Sequence, residues 1–248
     1  DYFHINPTDP DAYQEWIVGG TAARLSANMQ IADKVTVCTK TLAHTVGNLS
    51  DNVQVIPNGL PAQHLGLPRD YRPDHVVGGW SGTRSTMPEL KLAARHLNRI
   101  ADRKDAHVLL VGCTPEQARE QGMRSPKVYV TGWLPKWDYA AQVYTFDFWA
   151  APYRDNQFNR AKFPTKALEA GFFGIPLVAT ALPGYEEFIT HGVNGFLVPP
   201  GQEHLFGRYL KRLADDADLR QQMGEAARAR ASQNILQGLG PVWEAALS

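Results

Sequence analysis

Two lysines and a glutamate lie close together within residues 152–180 and have the chemistry to bind an anion that also carries hydroxyl groups. Pro164 suits the first position of a helix, so Lys162 falls just before that helix and Lys166 within its first turn. Because backbone amides at a helix start attract anions, the two lysines and those amides predict one anion site, suited to a diphosphate. Glu169 is on the same helix face as Lys166 and could accept hydrogen bonds from the vicinal hydroxyls of a ribose.

These side chains also have an ordinary alternative interpretation. A lysine and a glutamate three residues apart on a helix surface commonly form an exposed pair, worth only a few tenths of a kcal/mol. Without their surroundings, Lys166 and Glu169 fit this alternative better.

A glycine-rich segment offers a second place for phosphate. It reads Gly78-Gly79-Trp80-Ser81-Gly82-Thr83-Arg84 and begins within the apolar β run 76–80. Glycines let the backbone approach a phosphate and Arg84 could add a bidentate charge, so Gly82 and Arg84 are candidate diphosphate ligands. The Gly-x-Gly-x-x-Gly spacing of dinucleotide sites is absent, and a simple tight turn is the alternative.

A third candidate segment could hold a flat base. Gly132 and Trp133 end another apolar β run, 127–133, and Leu134 follows it. The three could bind a base by stacking or through main-chain hydrogen bonds. The alternative is a turn whose tryptophan lies in the core.

The sequence shows no metal site and names no catalytic base. Asp-x-Asp occurs at residues 9–11 and 216–218, but neither follows a β run of the predicted sheet, and the eight histidines have no metal-ligand spacing. We therefore expect neither a metal nor a cofactor, and we leave the catalytic residues unassigned.

The elements that would position these residues alternate along the chain. Short apolar β runs separated by helical stretches indicate βαβ units, hence a Rossmann-like α/β fold: a parallel sheet with helices on both faces. In such a sheet, ligands bind beyond the carboxyl ends of the strands, where the three candidate segments lie. The β runs are 76–80, 107–111, 127–133, 146–153, 176–180 and 195–199, and the helical stretches are 87–103, 135–145, 164–174, 202–216 and 218–232.

The chain divides into four parts by the same pattern. Residues 1–60 hold a helical stretch at 11–32, β runs at 34–39 and 53–56, and a helix at 41–46 between them. Residues 61–75 contain three prolines and are predicted to be a linker. Residues 76–233 form the Rossmann-like domain, and residues 234–248 are a final helix that could pack back on the first part.

Composition excludes some classes of partner. Lys plus Arg and Asp plus Glu are 25 each in 248 residues, so no basic field exists to attract nucleic acid. No stretch approaches the roughly 18 apolar residues of a transmembrane helix. Cys38 and Cys113 are interpreted as two reduced core thiols. The chain begins at Asp1 without a methionine, so a preceding segment is expected.

The segment after residue 150 resembles the donor-site signature of retaining GT-B glycosyltransferases, the family of bacterial lipopolysaccharide, capsule and mannosyl transferases. The similarity continues through GIPLVAT (174–180) and EEFITHGVNGFLVPPG (186–201), and upstream through ADKVTVCTKTLAHTV (32–46) and VQVIPNGL (53–60). It thus covers nearly the whole chain. The matching residues are Ala151, Pro152, Asp155, Phe158, Asn159, Lys162, Lys166 and Glu169.

This resemblance implies the C-terminal half of a GT-B fold with a remnant of the N-terminal lobe. It implies transfer of a hexose from a nucleoside diphosphate sugar to a hydroxyl of a glycan, lipid-linked or protein acceptor, with retention and without metal. Arg84, Lys162 and Lys166 would stabilise the leaving diphosphate, and Glu169 would hold the ribose. A cytoplasmic protein of polysaccharide biosynthesis is expected, with peripheral membrane attachment as an open alternative.

Two departures from the family pattern keep other functions open. Ala161 stands where many relatives have the first of two glutamates, although Lys162 beside it is a familiar variant. Only the end of the first lobe is present, so a second chain or a missing lobe would have to complete the cleft. The alternatives are a non-catalytic module that binds a nucleotide sugar or a partner, and a sugar-nucleotide epimerase of GT-B fold, for which no acidic and histidine catalytic set is visible.

Overall fold

The computed structural model describes residues 14–64 and 75–247. The start of the predicted helical stretch 11–32 and most of the predicted linker 61–75 lie outside these ranges, so those parts of the prediction have no structural counterpart here. No helix within the described ranges is both long and apolar enough to cross a membrane.

A six-stranded, fully parallel sheet forms the centre of the larger unit, in the order β5-β4-β3-β6-β7-β8. The chain adds strands outward from β3 on one side and then from β6 on the other, so the order reverses between these two strands. Such a reversal opens a crevice at the strands' carboxyl ends. The strands are β3 Val76–Ser81, β4 Ala106–Val111, β5 Val128–Thr131, β6 Phe148–Ala151, β7 Leu177–Thr180 and β8 Gly195–Val198.

Apolar side chains on both faces of the sheet explain its burial. Along β4, Val108 and Leu110 belong to one core cluster, whereas Leu109 and Val111 belong to another. Successive strand residues point to opposite faces, so a strand buried on both sides must be a continuous apolar run. The first cluster is closed by Leu97 and Leu210, the second by Leu168 and Phe172, all on helices. The predicted α/β fold is thus confirmed.

The helices match the predicted stretches, with local differences. The helix predicted at 87–103 starts three residues earlier, as the 3-10 helix Arg84–Leu90, which contains Pro88. It continues as the α-helix Lys91–Ala101. Three short helices were not predicted, and one of them, Gln157–Ala161, starts where the Asn156 side chain accepts a hydrogen bond from the Asn159 amide. The α-helices are Thr21–Ile31, Lys40–Val46, Lys91–Ala101, Pro115–Glu120, Lys136–Tyr144, Gln157–Ala161, Thr165–Phe173, Pro183–Phe188, His204–Asp215, Ala217–Ala231 and Gly240–Leu247.

The N-terminal part forms a small βαβ unit of its own. Strands β1 (Val35–Val37) and β2 (Val53–Val55) pair in parallel, and the helix Lys40–Val46 connects them. This unit touches the larger one directly, because the Thr39 hydroxyl donates a 2.9 Å hydrogen bond to the Ala161 carbonyl. The C-terminal helix reaches the same unit, since Trp243 and Met29 line one cavity of about 270 Å³.

Candidate functional site

A cavity of about 400 Å³ opens at the carboxyl ends of β3 and β6, where the strand order reverses. We call it the cationic cavity, because Lys162 and Lys166 line it. Gly82 after β3 and Tyr153 after β6 form further parts of its wall. The N-terminal unit contributes Cys38 and Asn58. The predicted core thiol Cys38 is therefore half-buried at a cavity wall, whereas Cys113 is fully buried as expected.

Lys166 lies in the first turn of the helix Thr165–Phe173, and its Nζ donates a 2.8 Å hydrogen bond to the Tyr153 hydroxyl. The helix begins at Thr165, one position later than predicted, so Pro164 precedes it. The Pro164 carbonyl accepts a hydrogen bond from the Ala167 amide. The ammonium group is thus held at the positive end of the helix, as the sequence predicted.

Lys162 approaches the same cavity from the preceding turn. Its Nζ donates to Asn159 Oδ1 at 3.1 Å and lies 3.9 Å from the centre of the Phe158 ring. Burial, and next the nearby Lys166 ammonium, lower the pKa of Lys162 from 10.5 to about 8. Two ammonium groups that repel each other in a partly buried cavity would be stabilised by a bound anion.

A buried carboxylate, Glu89, lies behind Lys162 and was not predicted from the sequence. Glu89 Oε1 accepts a 2.9 Å hydrogen bond from Asn159 Nδ2, and both residues are only 3% exposed. Glu89 and Asn159 are 70 positions apart, so no local pattern could have paired them. The sequence around Glu89 alternates charged and apolar residues like an ordinary helix surface, so it gave no signal of burial.

The glycine-rich segment contributes shape to the cavity. The Gly82 amide already donates to the Val111 carbonyl at 3.0 Å, and a Cβ on Gly82 would collide with the Trp80 ring. Glycine is therefore required for packing at this position, and its amide has a partner within the fold. Arg84 is exposed and lies outside the cavity lining, although its neighbours Thr83 and Ser85 belong to that lining.

Glu169 faces a different cavity from the two lysines. This second cavity, of about 200 Å³, is mostly apolar, and we call it the aromatic cavity because Trp137, Tyr139 and Phe173 line it. The Tyr139 hydroxyl donates to Glu169 Oε2 at 3.0 Å and lies 3.2 Å from Ser81 Oγ. Burial raises the pKa of Glu169, against the effects of Tyr139 and Lys166. The row Ser81–Tyr139–Glu169 thus links the strand end beside the cationic cavity to the wall of the aromatic cavity.

The three candidate base-binding residues lie outside the lining of both cavities. Trp133 is 79% exposed, so the alternative of a core tryptophan is wrong. Leu134 packs partly against the apolar core, and Gly132 is exposed. Contact of Gly132, Trp133 and Leu134 with a base stays a prediction.

Comparison with known proteins gives a family for this arrangement. The profile of the family "Glycosyl transferases group 1" matches residues 79–216, more than half of the chain. A curated relative, D-inositol 3-phosphate glycosyltransferase of Streptomyces griseus, is 33% identical over 158 residues, which are 63% of this chain and 27% of the relative. The chain therefore spans about a quarter of this relative's length.

Solved structures share the fold at low sequence identity. A variant of S. aureus TarM, in complex with fondaparinux, alpha-GlcNAc-glycerol and UDP, superposes with a TM-score of 0.73 at 13% identity, over 92% of this chain and 46% of TarM. HepE of Anabaena, in complex with UDP and glucose, gives 0.72 at 19% identity, over 91% of this chain and 66% of HepE.

A third solved structure is that of a single domain. The C-terminal domain of a group 1 glycosyltransferase, LpcC of Francisella tularensis, gives a TM-score of 0.57 at 16% identity, over 71% of this chain and 97% of that domain. The chain belongs to the group 1 glycosyltransferases and contains the C-terminal domain of their GT-B fold.

Proposed function

We propose that this chain binds a nucleoside diphosphate sugar and supplies the donor side of hexose transfer to an acceptor hydroxyl. The observation that carries the proposal is the cationic cavity, in which the ammonium groups of Lys162 and Lys166 meet at a helix start. A diphosphate is an anion that suits two fixed cations and a helix start.

The chemistry of glycosyl transfer gives those cations a role. As the bond between the sugar and the diphosphate breaks, negative charge grows on the leaving diphosphate. Lys162 and Lys166 are held in place by Asn159 and Tyr153, so they would stabilise that charge without reorganising. Arg84, at the edge of the glycine-rich segment, would add a third cation, and Gly82 would let the phosphates approach.

We propose further that the reaction retains the sugar's configuration and needs no metal. Within residues 14–64 and 75–247, no group of three or more His, Cys, Asp or Glu side chains could hold a metal ion. The lysines offer the charge that a metal supplies to the leaving diphosphate elsewhere.

The ribose would lie against Glu169, beside the aromatic cavity. Its carboxylate accepts a hydrogen bond from Tyr139 and has further lone pairs for ribose hydroxyls. Two positions are open for the base: the predicted contact with Gly132, Trp133 and Leu134, or stacking on Trp137 inside the aromatic cavity. UDP in the HepE and TarM structures supports a nucleotide donor, and the sugars bound there support a glycan acceptor.

Binding and turnover test the proposal separately. Calorimetric titration with UDP, GDP, ADP and dTDP should show binding of at least one of them, and no heat with any at millimolar concentration would contradict the proposal. The sugar nucleotide of the best binder is then offered, radiolabelled, with candidate acceptors. Binding without any transfer would favour the alternative of a non-catalytic binding module.

A further inference from the structure

Glu89 is a buried carboxylate that does not itself line the cationic cavity, although Asn159, which it contacts, does. Its Oε1 accepts from Asn159 Nδ2, and its Oε2 accepts from the Arg154 amide at 2.8 Å. The Arg154 guanidinium is 3.9 Å away and 45% exposed, so it gives only screened compensation. A buried charge costs free energy unless hydrogen bonds or cations compensate it, so the groups that share this charge matter.

Asn159 connects Glu89 to Lys162, at the cavity wall, through hydrogen bonds. Its amide nitrogen donates to Glu89 and to the Arg154 carbonyl at 2.9 Å, while its oxygen accepts from Lys162 Nζ. These partners fix the orientation of the amide, because a flipped amide would turn its NH2 group towards an ammonium. Hydrogen bonds in a row polarise one another, so the carboxylate strengthens the Asn159 oxygen as an acceptor for Lys162.

Opposing influences act on the charge of Lys162. Burial and the Lys166 ammonium favour the neutral amine, and Glu89 favours the ammonium. The pKa of about 8 is therefore a balance in which Glu89 is the carboxylate on the favourable side. The titratable groups around Lys162 from the surrounding elements are Glu89, Tyr153, Lys166, Tyr185 and Cys38.

We propose that Glu89 is a positioning residue, which acts through Asn159 to hold Lys162 as an ammonium at the wall of the cationic cavity. The inference rests on the proposed function, because that function gives the ammonium its ligand. Without Glu89, Lys162 would lose its proton at a lower pH, and diphosphate binding would fail earlier as the pH rises.

We call the connection from Glu89 through Asn159 to Lys162 the relay. Glu89→Gln tests it with almost no change in the shape of the side chain. Both Glu89 oxygens accept hydrogen bonds, whereas a glutamine offers one oxygen and one NH2 group. Either orientation of the new amide sets an N–H group against the amide of Arg154 or against Asn159. We expect the pKa of Lys162 to fall by about one unit in this variant, the lower end of the effect of losing an opposite charge, because Glu89 acts on Lys162 through Asn159.

The first measurement needs no ligand. Carbon-13 labelling at lysine Cε lets NMR follow the titration of Lys162, assigned by its loss in Lys162→Met. The wild-type midpoint should be near 8, and the Glu89→Gln midpoint near 7. Glu120→Gln, which removes an exposed carboxylate elsewhere, should leave the midpoint at the wild-type value. An unchanged midpoint in Glu89→Gln would overturn the inference.

A second variant covers the case in which Glu89→Gln does not fold. Asn159→Leu breaks the relay at its next link and removes the acceptor of Lys162. Its midpoint should also fall, and an unchanged value in this folded variant would overturn the inference equally.

Inorganic pyrophosphate then shows whether the relay serves anion binding. Midpoints of 8 and 7 give protonated fractions that differ about fivefold at pH 8 and hardly at pH 6, so the loss of affinity in Glu89→Gln should be larger at pH 8. In a Lys162→Met background, Glu89→Gln should cause no further loss. Equal losses in both backgrounds would mean that Glu89 is merely structural. If Lys162→Met itself leaves pyrophosphate affinity unchanged, the proposed donor site fails, while the NMR titration still decides on the relay.

Discussion

The two cavities differ in charge although one helix serves both. Lys166 and Glu169 are three residues apart on the helix Thr165–Phe173, yet Lys166 lines the cationic cavity and Glu169 the aromatic one. A nucleoside diphosphate has the same division, with an anionic diphosphate joined to a ribose and a flat base. Under the proposed function, one short helix would therefore serve both parts of such a ligand, while the Ser81–Tyr139–Glu169 row joins a strand end beside the cationic cavity to the wall of the aromatic cavity.

Removing a lysine of the cationic cavity should weaken only the binding of the diphosphate part of the ligand. In Lys166→Ala, affinity for a nucleoside diphosphate should fall about 10- to 100-fold, because one charged hydrogen bond contributes about 1.5–3 kcal/mol. Affinity for the bare nucleoside should change little. Lys104→Ala, which removes an exposed lysine just before β4, at the amino ends of the strands, is the matched control. Calorimetry that shows equal losses for both ligands would remove the distinction between the cavities.

A rise in pH should likewise weaken the binding of a nucleoside diphosphate but not that of a nucleoside. Lys162 would bind an anion in its ammonium form, which is lost as the pH rises through about 8. Between pH 7 and pH 9, the protonated fraction falls roughly tenfold, and diphosphate affinity should decline by up to that factor. Nucleoside affinity should stay level over the range. A diphosphate curve that remains flat to pH 9 would show that Lys162 contributes no charge to binding.

Glu169→Gln should weaken the binding of the nucleoside part of the ligand. The substitution keeps an acceptor for Tyr139 but removes the charge that strengthens hydrogen bonds from ribose hydroxyls, so a loss of about fivefold to tenfold is expected. The loss should be equal for nucleoside and diphosphate, because both carry the ribose. A 2′-deoxy ligand should lose less. If only the diphosphate were affected, Glu169 would belong to the cationic cavity after all.

Two tryptophans can locate the base. Trp137 lines the aromatic cavity, whereas Trp133 is 79% exposed outside it. Loss of a stacked base costs about 1–3 kcal/mol, so the alanine variant of the correct tryptophan should lose at least about fivefold in nucleoside affinity. A loss in Trp137→Ala places the base in the aromatic cavity, and a loss in Trp133→Ala confirms the predicted segment. Retained affinity in both variants would count against stacking on either ring.

The smallest expected effect is that of removing divalent cations. Lysines provide the charge in the cationic cavity, so EDTA should leave diphosphate affinity within about twofold of its value without EDTA. Binding that disappears in EDTA and returns with magnesium or manganese would contradict this expectation.

The sequence predicted what depends on local pattern. Alternating apolar runs and helices predicted the parallel sheet, and Pro164 with two nearby lysines predicted a cationic helix start. Helical spacing also put Lys166 and Glu169 on one face, but it could not show that the Tyr139 hydroxyl donates a hydrogen bond to Glu169 at the wall of the aromatic cavity. That contact comes from a helix 30 positions away, as the Glu89–Asn159 contact comes from 70 positions away. Packing of distant segments decides such contacts.

A crystal structure with the best-binding nucleoside diphosphate tests the central claim most directly. The account predicts both phosphates inside the cationic cavity, with their oxygens within hydrogen-bond distance of Lys162 Nζ and Lys166 Nζ, about 2.7–3.2 Å. It also predicts a ribose hydroxyl on the Glu169 carboxylate. Phosphates bound elsewhere, with the Lys166–Tyr153 and Lys162–Asn159 hydrogen bonds unchanged and no ligand between them, would contradict the account.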